Sequence, residues 1–98
     1  METWPFSDPQ NVAAISVKQV FNSNAPILLV VHDEEDGGWQ FLTNGEFSTE
    51  DALIVALKNV VALDSTICEL ADLPIGWEAS RPARGQPWLR SKSQRIDE

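Results

Sequence analysis

Residues 26–44, PILLVVHDEEDGGWQFLTN, constrain the fold more than any other part of the chain. The apolar, partly β-branched run 27–31 is typical of a buried strand bounded by turn signals. Residues 33–38 interrupt this strand, because neighbouring carboxylates repel one another and glycine permits a positive φ angle. A second strand follows over 39–42, with Trp39 and Phe41 on one face and Gln40 on the other. The stretch therefore predicts two strands joined by an acidic loop.

Short apolar segments on both sides of this hairpin predict an α+β fold. Residues 12–16 predict a strand, and we expect Ser16 to cap a short helix over 17–22. A helical turn is expected to begin at Asp64 or Ser65, and residues 77–79 predict a final strand. The resulting architecture is a small, mostly antiparallel sheet of about four strands packed by two or three short helices.

Residues 52–63, ALIVALKNVVAL, have an ambiguous hydrophobic period. Leu53, Ile54 and Val55 indicate a strand, whereas Leu57, Val60 and Val61 have helical spacing. We predict a short strand over 53–56 followed by a helix from about Lys58. A single amphipathic helix over 50–63 is the competing prediction.

The 98 residues are enough for one domain with a modest core of its own. We expect an irregular lead-in over 1–11, a single α+β domain over 12–81 and an extended basic tail over 82–98. Trp4 and Phe6 of the lead-in are expected to pack back onto the core. The predicted core residues are Trp39, Phe41, Trp77, Leu28, Val30, Ile54, Leu57, Val60, Ile67 and Leu70.

Charge is distributed unevenly along the chain, whose net charge is −8. Residues 1–80 have two basic and thirteen acidic side chains, a balance of −11, and residues 81–98 have five basic and two acidic, a balance of +3. An acidic body repels nucleic acid and anionic membranes and attracts a basic protein partner. The alternative is that the excess carboxylates only keep the protein soluble. The basic and aromatic residues of the tail could touch RNA, but we expect them to fold back on the body.

Cysteine usage and the N-terminal sequence predict a cytoplasmic protein. Cys68, the single cysteine, cannot form an internal disulfide, which suits a reducing compartment. The first ten residues have no basic region followed by an apolar run, so a signal peptide is not expected. The longest apolar run, residues 27–31, is far shorter than the ~20 residues that span a membrane. We expect Cys68 to be a small buried apolar residue.

The acidic loop is the candidate site. Its carboxylates and the tryptophan that follows are the predicted partner-binding residues, namely Asp33, Glu34, Glu35, Asp36 and Trp39. The alternative is a divalent-metal or ligand site formed by His32, Asp33 and Asp36. A calcium loop of the EF-hand type does not fit, because placing its glycine at Gly37 or Gly38 leaves other required ligand positions wrongly filled. For His32, the expected role is a hydrogen bond to a loop carboxylate.

Patterns that indicate catalysis are weak in this sequence. The serines lack the Gly-x-Ser-x-Gly pattern of a nucleophile elbow, and the Gly37-Gly38 pair precedes a strand rather than a phosphate-binding helix. We therefore predict a protein that is not an enzyme and has no cofactor.

Several short motifs resemble a family of short bacterial proteins. They are the residues 26–30, 32–33, 36–37 and 39–42, then Asp72-Leu73-Pro74, Gly76-Trp77, Ala79, Arg81 and Pro87-Trp88. This pattern, spread over residues 12–90, is similar to the immunity-protein-like domain of unknown function type 2185. Some members of that group are associated with toxin–immunity loci, so the resemblance implies a protein that binds and blocks a toxin. No catalytic residue is carried over.

Charge and resemblance together predict a non-enzymatic protein-binding module, with toxin neutralisation as its specific form. A small metal- or ligand-binding domain is the alternative, and a scaffold or homodimer is a third hypothesis. Stabilisation by a divalent ion would indicate the metal site, and a concentration-dependent melting temperature would indicate a homodimer.

Overall fold

A computed structural model describes residues 4–43 and 48–93 of the chain. Within these ranges the backbone forms one six-stranded sheet with the strand order β4-β1-β3-β2-β5-β6. The strands are β1 (Ala13–Val17), β2 (Leu29–His32), β3 (Trp39–Leu42), β4 (Ala52–Ala56), β5 (Trp77–Ser80) and β6 (Leu89–Lys92). The α+β class is confirmed.

The sheet is mixed and larger than predicted. Neighbouring strands pair antiparallel except β1 and β3, which run parallel. The prediction of about four strands is therefore corrected to six. One of the additional strands, β6, lies in the segment that the sequence analysis assigned to the tail, and it pairs with β5. Alternation of apolar residues cannot reveal β6, because its residues LRSK are all exposed and mostly polar.

Four short helical elements connect the strands. They are the α-helices α1 (Lys18–Asn22) and α2 (Leu57–Leu63) and the 3-10 helices Thr49–Asp51 and Ser65–Leu70. The predicted strand-then-helix division of residues 52–63 is confirmed, and the single helix over 50–63 is wrong. Residues 52–56 are held as a strand because all five pair with β1, with Ile54 opposite Ile15. The helical turn predicted after Asp64 is also confirmed, since the Asp64 side chain accepts a hydrogen bond from the Thr66 N–H.

Ser16 does not cap α1. The residue before the helix is Val17, which makes no side-chain cap. Ser16 instead lies in β1, fully buried, and its hydroxyl donates a hydrogen bond of 2.7 Å to the Phe41 carbonyl oxygen. The serine is tolerated at a buried position because its donor is satisfied by the neighbouring strand.

The helical elements pack on one face of the sheet and form the core there. Side chains of α1, α2 and the second 3-10 helix join sheet residues in one buried cluster: Val20, Leu57, Val60, Ile67, Leu70, Val30, Phe41 and Ala79. Eight of the ten predicted core residues are buried, and Trp77 is partly buried against the cluster. Ile54 was predicted wrongly, because 80% of its surface is exposed.

The described part of the lead-in also contacts the core. Phe6 is buried in the main cluster and Trp4 packs against it, as predicted. Cys68 is partly buried against the same cluster. Thr43, Asn44 and Gly45 predict a turn after the hairpin, which extends into residues 44–47, and the last part of the tail comprises residues 94–98. Both segments lie outside the described residues, as do residues 1–3.

Candidate functional site

The acidic loop between β2 and β3 is closed by its own hydrogen bonds. The Asp33 N–H donates to the Gly38 carbonyl oxygen at 2.8 Å, and the Gly37 N–H donates to the Asp33 carbonyl oxygen at 3.0 Å. Two carboxylates brace the turn, since Asp33 Oδ1 accepts from the Glu35 N–H at 2.7 Å and Asp36 Oδ1 from the Gly38 N–H at 2.8 Å. Gly37 has a φ angle of 71°, in the left-handed region that glycine adopts without strain.

The five residues predicted to bind a partner therefore divide into two groups. Glu34, Glu35 and Asp36 are exposed, and Asp33 is half-buried. Trp39 is 3% exposed, so its ring offers a partner little surface. Its indole Nε1 donates to Asp8 Oδ2 at 2.8 Å. Trp39 thus ties the lead-in to the hairpin and belongs to the core.

His32 joins the loop to a neighbouring segment. Its Nδ1 lies 2.7 Å from the Leu73 carbonyl oxygen, which can only accept, so Nδ1 donates the hydrogen bond. The Gly76 N–H donates in return to the His32 carbonyl oxygen at 2.7 Å. The imidazole also stacks on the Trp39 indole, with the ring centroids 3.8 Å apart. The expected hydrogen bond from His32 to a loop carboxylate is replaced by the bond to Leu73.

This geometry does not favour the metal alternative. Among the described residues, no group of three or more histidine, cysteine or acidic side chains is arranged to hold a metal ion. His32 Nδ1 is occupied by Leu73, and one oxygen of Asp36 is held by the loop backbone. These bonds fix the orientation of His32 and Asp36, and no third ligand among the described residues is arranged with them.

A groove of about 240 Å³ lies beside the acidic loop, on the sheet face opposite the helices. Asp33 and Asp36 line one side, and Ile15 and Ile54 line the other. Gln40 lies between them and donates from Nε2 to Asp33 Oδ2 at 3.3 Å. Exposure is 42% for Ile15 and 80% for Ile54, which face each other on β1 and β4. The site is therefore an apolar groove bordered by carboxylates.

Sequence reasoning missed the apolar part of this site. Ile15 was assigned only to a strand, and Ile54 was placed in the core. Both strands, AAISV and ALIVA, are apolar on two faces, so alternation cannot tell the covered face from the open one. The available signal is that a chain with so few helical segments covers only one face of a sheet.

A second cluster of charged side chains lies on the opposite side of the molecule. The Arg81 side chain is 1% exposed, and its Nη2 lies 2.7 Å from Asp64 Oδ2. Arg81 also donates to the Ile27 carbonyl oxygen and the Thr66 hydroxyl, and its guanidinium stacks on the Trp88 ring at 4.1 Å. Every polar contact of this arginine is internal, so the cluster fastens the segment after β5 to the body.

The pKa of Asp64 reflects this cluster. Burial raises the pKa. The Thr66 hydroxyl, the Thr66 N–H and the Arg81 guanidinium together lower it by more, so the pKa of Asp64 lies below the usual 3.8. Tail residue Arg90 makes a second ion pair, at 2.9 Å from Asp72. The prediction that basic tail residues fold back on the acidic body is confirmed for Arg90.

Comparisons with known proteins add no relationship. Neither the protein-family models, nor the curated proteins, nor the solved structures gave a match. In the described part of the chain, no helix has the length and apolar character needed to cross a membrane.

Proposed function

We propose that this protein is a non-enzymatic binding module that engages a basic protein through the acidic loop and the groove beside it. The finer form of the proposal is that the partner is a toxin which the module neutralises. That form rests on the motif resemblance alone, whereas the binding surface rests on the geometry of the site.

The juxtaposition of exposed isoleucines and carboxylates supports the proposal most directly. Ile15 and Ile54 offer apolar area that a partner side chain would remove from water, at about 25 cal/mol per Å². Asp36 lines the same groove and is exposed, and the exposed Glu34 and Glu35 precede it in the acidic loop. Protein interfaces commonly combine an apolar centre with a charged rim that sets specificity and association rate.

Long-range electrostatics favour a basic partner. The balance of −11 over residues 1–80 gives the body a strongly negative field. Two of the five basic residues after Ser80, Arg81 and Arg90, are paired with Asp64 and Asp72. The carboxylates at the groove attract a cationic surface, and added salt should slow that encounter.

The groove lining also bears on the non-enzymatic part of the proposal. The described residues that line it are alanine, isoleucine, aspartate, glycine, glutamine and tryptophan, with no serine, cysteine, histidine or lysine. His32, the single histidine of the sequence, uses Nδ1 for a structural bond to Leu73. With no hydroxyl, thiol or amine among the described residues of this lining, the groups present suit binding better than nucleophilic catalysis by such a side chain.

The proposal is tested by affinity capture from a lysate of the source organism, with mass spectrometry of the retained proteins. Three baits are compared: the unchanged protein, E34Q/E35Q, and the control E50Q/E69Q, which removes the same charge at exposed positions outside the acidic loop. We expect one basic protein to be retained by the first and third baits and depleted on the second.

Binding measurements with purified proteins then give the size of the loss in affinity. Titration calorimetry should show the partner binding E34Q/E35Q about tenfold more weakly, or ~1.4 kcal/mol, with little change for E50Q/E69Q. The variant I15S, which removes apolar area without changing charge, should also weaken binding. Equal affinity of all four proteins for the partner would exclude this surface. Inhibition of a retained toxin by the unchanged protein would establish that the module neutralises a toxin.

A further inference from the structure

The two edges of the sheet are built differently. The edge strand β6, LRSK, has Arg90 and Lys92, and charged residues of this kind prevent an edge from pairing with another chain. The other edge strand, β4, has the sequence ALIVA, with no charge, no proline and no glycine. An apolar edge strand without such protection is a template for pairing with another strand.

The backbone groups that β4 presents at its open side follow from its pairing with β1. The Leu57 N–H donates to the Val12 carbonyl oxygen at 2.9 Å, immediately beyond the Ala13–Ala56 pair. Bonded and non-bonded pairs alternate along an antiparallel ladder, so Val55 and Leu53 also direct their groups to β1. The N–H and carbonyl groups of Ala52, Ile54 and Ala56 therefore point away from the sheet.

Some of these outward groups are already satisfied within the chain. The Ala52 N–H donates to the Thr49 carbonyl oxygen. Ala56 is the N-cap of α2, and an N-cap carbonyl accepts the first hydrogen bond of its helix. The groups left for a partner strand are the Ala52 carbonyl, both groups of Ile54 and the Ala56 N–H.

We propose that β4 pairs antiparallel with β4 of a second copy of this chain, about a two-fold axis at Ile54. In this register Ile54 faces Ile54 of the other copy, and Ala52 faces Ala56. The remaining groups then match: the two Ile54 residues exchange both of their bonds, and each Ala56 N–H meets an Ala52 carbonyl. The groups already satisfied within one chain are the ones that find no partner in the other.

Side-chain size and charge agree with this pairing. Ile54 is flanked on its face of β4 by alanines, so two copies bring their isoleucines together without bulky neighbours. Glu50 and Asp51 precede β4, and Lys58 follows it. An antiparallel two-fold places the acidic end of one β4 beside the basic end of the other, although both bodies are strongly acidic.

The inference goes beyond the proposed function. Pairing through β4 joins two six-stranded sheets and sets the two grooves side by side, since Ile54 belongs to both the edge and the groove. A dimer would then present two acidic loops to a partner. Because the purified protein alone is sufficient for the test, its outcome is independent of any partner.

The first experiment is light scattering coupled to size-exclusion chromatography over a range of concentrations. We expect a mass twice the 10.9 kDa of the chain, and about 10.9 kDa for I54K, which sets two lysines directly opposite each other. The control is L89K on the other edge, where Leu89 is 68% exposed, and it should keep the doubled mass. Circular dichroism checks that both variants are folded.

Mixing separates lost pairing from lost folding. I54K and I54E should each be monomeric, and an equal mixture should restore the doubled mass because opposite charges then face each other. A mass of 10.9 kDa for the unchanged protein at all concentrations would overturn the proposal, as would a doubled mass for I54K.

A cysteine experiment tests the register in a C68S background. Paired residues of a bonded antiparallel pair have Cα atoms about 5.5 Å apart, within the range that disulfides bridge. I54C should therefore form a covalent dimer on mild oxidation. A52C alone should not, whereas A52C mixed with A56C should. Equal crosslinking of I54C and A52C would overturn the two-fold at Ile54.

Discussion

The two halves of the sheet are stabilised by different means. In the half formed by β2, β5 and β6, charged side chains make internal bonds: Arg81 with Asp64 and Arg90 with Asp72. In the half formed by β4, β1 and β3, the open face presents Ile15 and Ile54 to solvent. Ion pairs therefore stabilise the half formed by β2, β5 and β6, and charged residues protect its edge strand. The half formed by β4, β1 and β3 keeps an apolar surface available for binding.

The largest effect on stability is expected in the half formed by β2, β5 and β6, at the Arg81–Asp64 pair. The variant D64A leaves the Arg81 guanidinium buried without its carboxylate, and breaking such a pair is strongly destabilising. We expect a loss of about 3 kcal/mol in the free energy of unfolding, at the low end for such pairs because 11% of the Asp64 side chain is exposed. Urea denaturation measures the loss.

The double variant D64A/R81M is the control for this prediction. Replacing both charges removes the unpaired guanidinium, so the double variant should be more stable than D64A alone. A loss in D64A no greater than that in E69A, where the carboxylate is exposed, would show that the Arg81 cluster does not fasten this half.

The second prediction concerns pH. The pKa of Asp64 is lower in the folded protein than its usual 3.8, so its contribution to stability is complete above that value. The contribution is lost as the pH falls through the lower pKa of the folded state, where both states become protonated. Urea unfolding of the unchanged protein and D64N from about pH 6 to about pH 2 should show their difference shrinking only below about pH 4. A difference independent of pH would contradict the shift.

A smaller effect on stability is expected in the half formed by β4, β1 and β3, at Ser16. Ser16 is buried and donates its hydroxyl to the Phe41 carbonyl oxygen, linking β1 to β3 beside their parallel pairing. S16A should lower the free energy of unfolding by about 1 kcal/mol, the net value of one such bond. The matched control S91A, at an exposed position of β6, should leave it unchanged. Equal stabilities for the two variants would show that this bond is not needed.

The smallest effect on stability is expected at the exposed ion pair between Arg90 and Asp72. The side chains of Arg90 and Asp72 are 36% and 79% exposed, so solvent screens their attraction. R90A should leave the denaturation midpoint close to that of the unchanged protein, in contrast to D64A. A midpoint shift comparable to that of D64A would show that β6, rather than the Arg81 cluster, holds the half formed by β2, β5 and β6 together.

The hairpin could be predicted because its signals are local. Residues 27–31 and 39–42 are apolar, and the intervening DEEDGG has the carboxylates and glycines of a turn. Two of those carboxylates brace the loop that they occupy. The strand-then-helix division near residue 57 was likewise local, since the change in hydrophobic period marks it.

Other features could not be predicted because they depend on distant residues. Arg81 was assigned to the end of the domain, yet it is buried through contacts with Ile27, Asp64 and Trp88. Trp39 was expected both in the core and at the binding surface, and its 3% exposure places it in the core. The residues adjacent in sequence do not indicate which distant residues will cover a given side chain.

By itself, the sequence determined the α+β class, the acidic hairpin loop and the net negative body, because composition and short-range spacing decide these. The tertiary structure alone decided the six-strand order, the parallel pairing of β1 with β3 and the face that stays open. An apolar strand such as ALIVA is equally suited to a central or an edge position. Its place at the edge, and hence the exposure of Ile54, follows from how the rest of the chain packs.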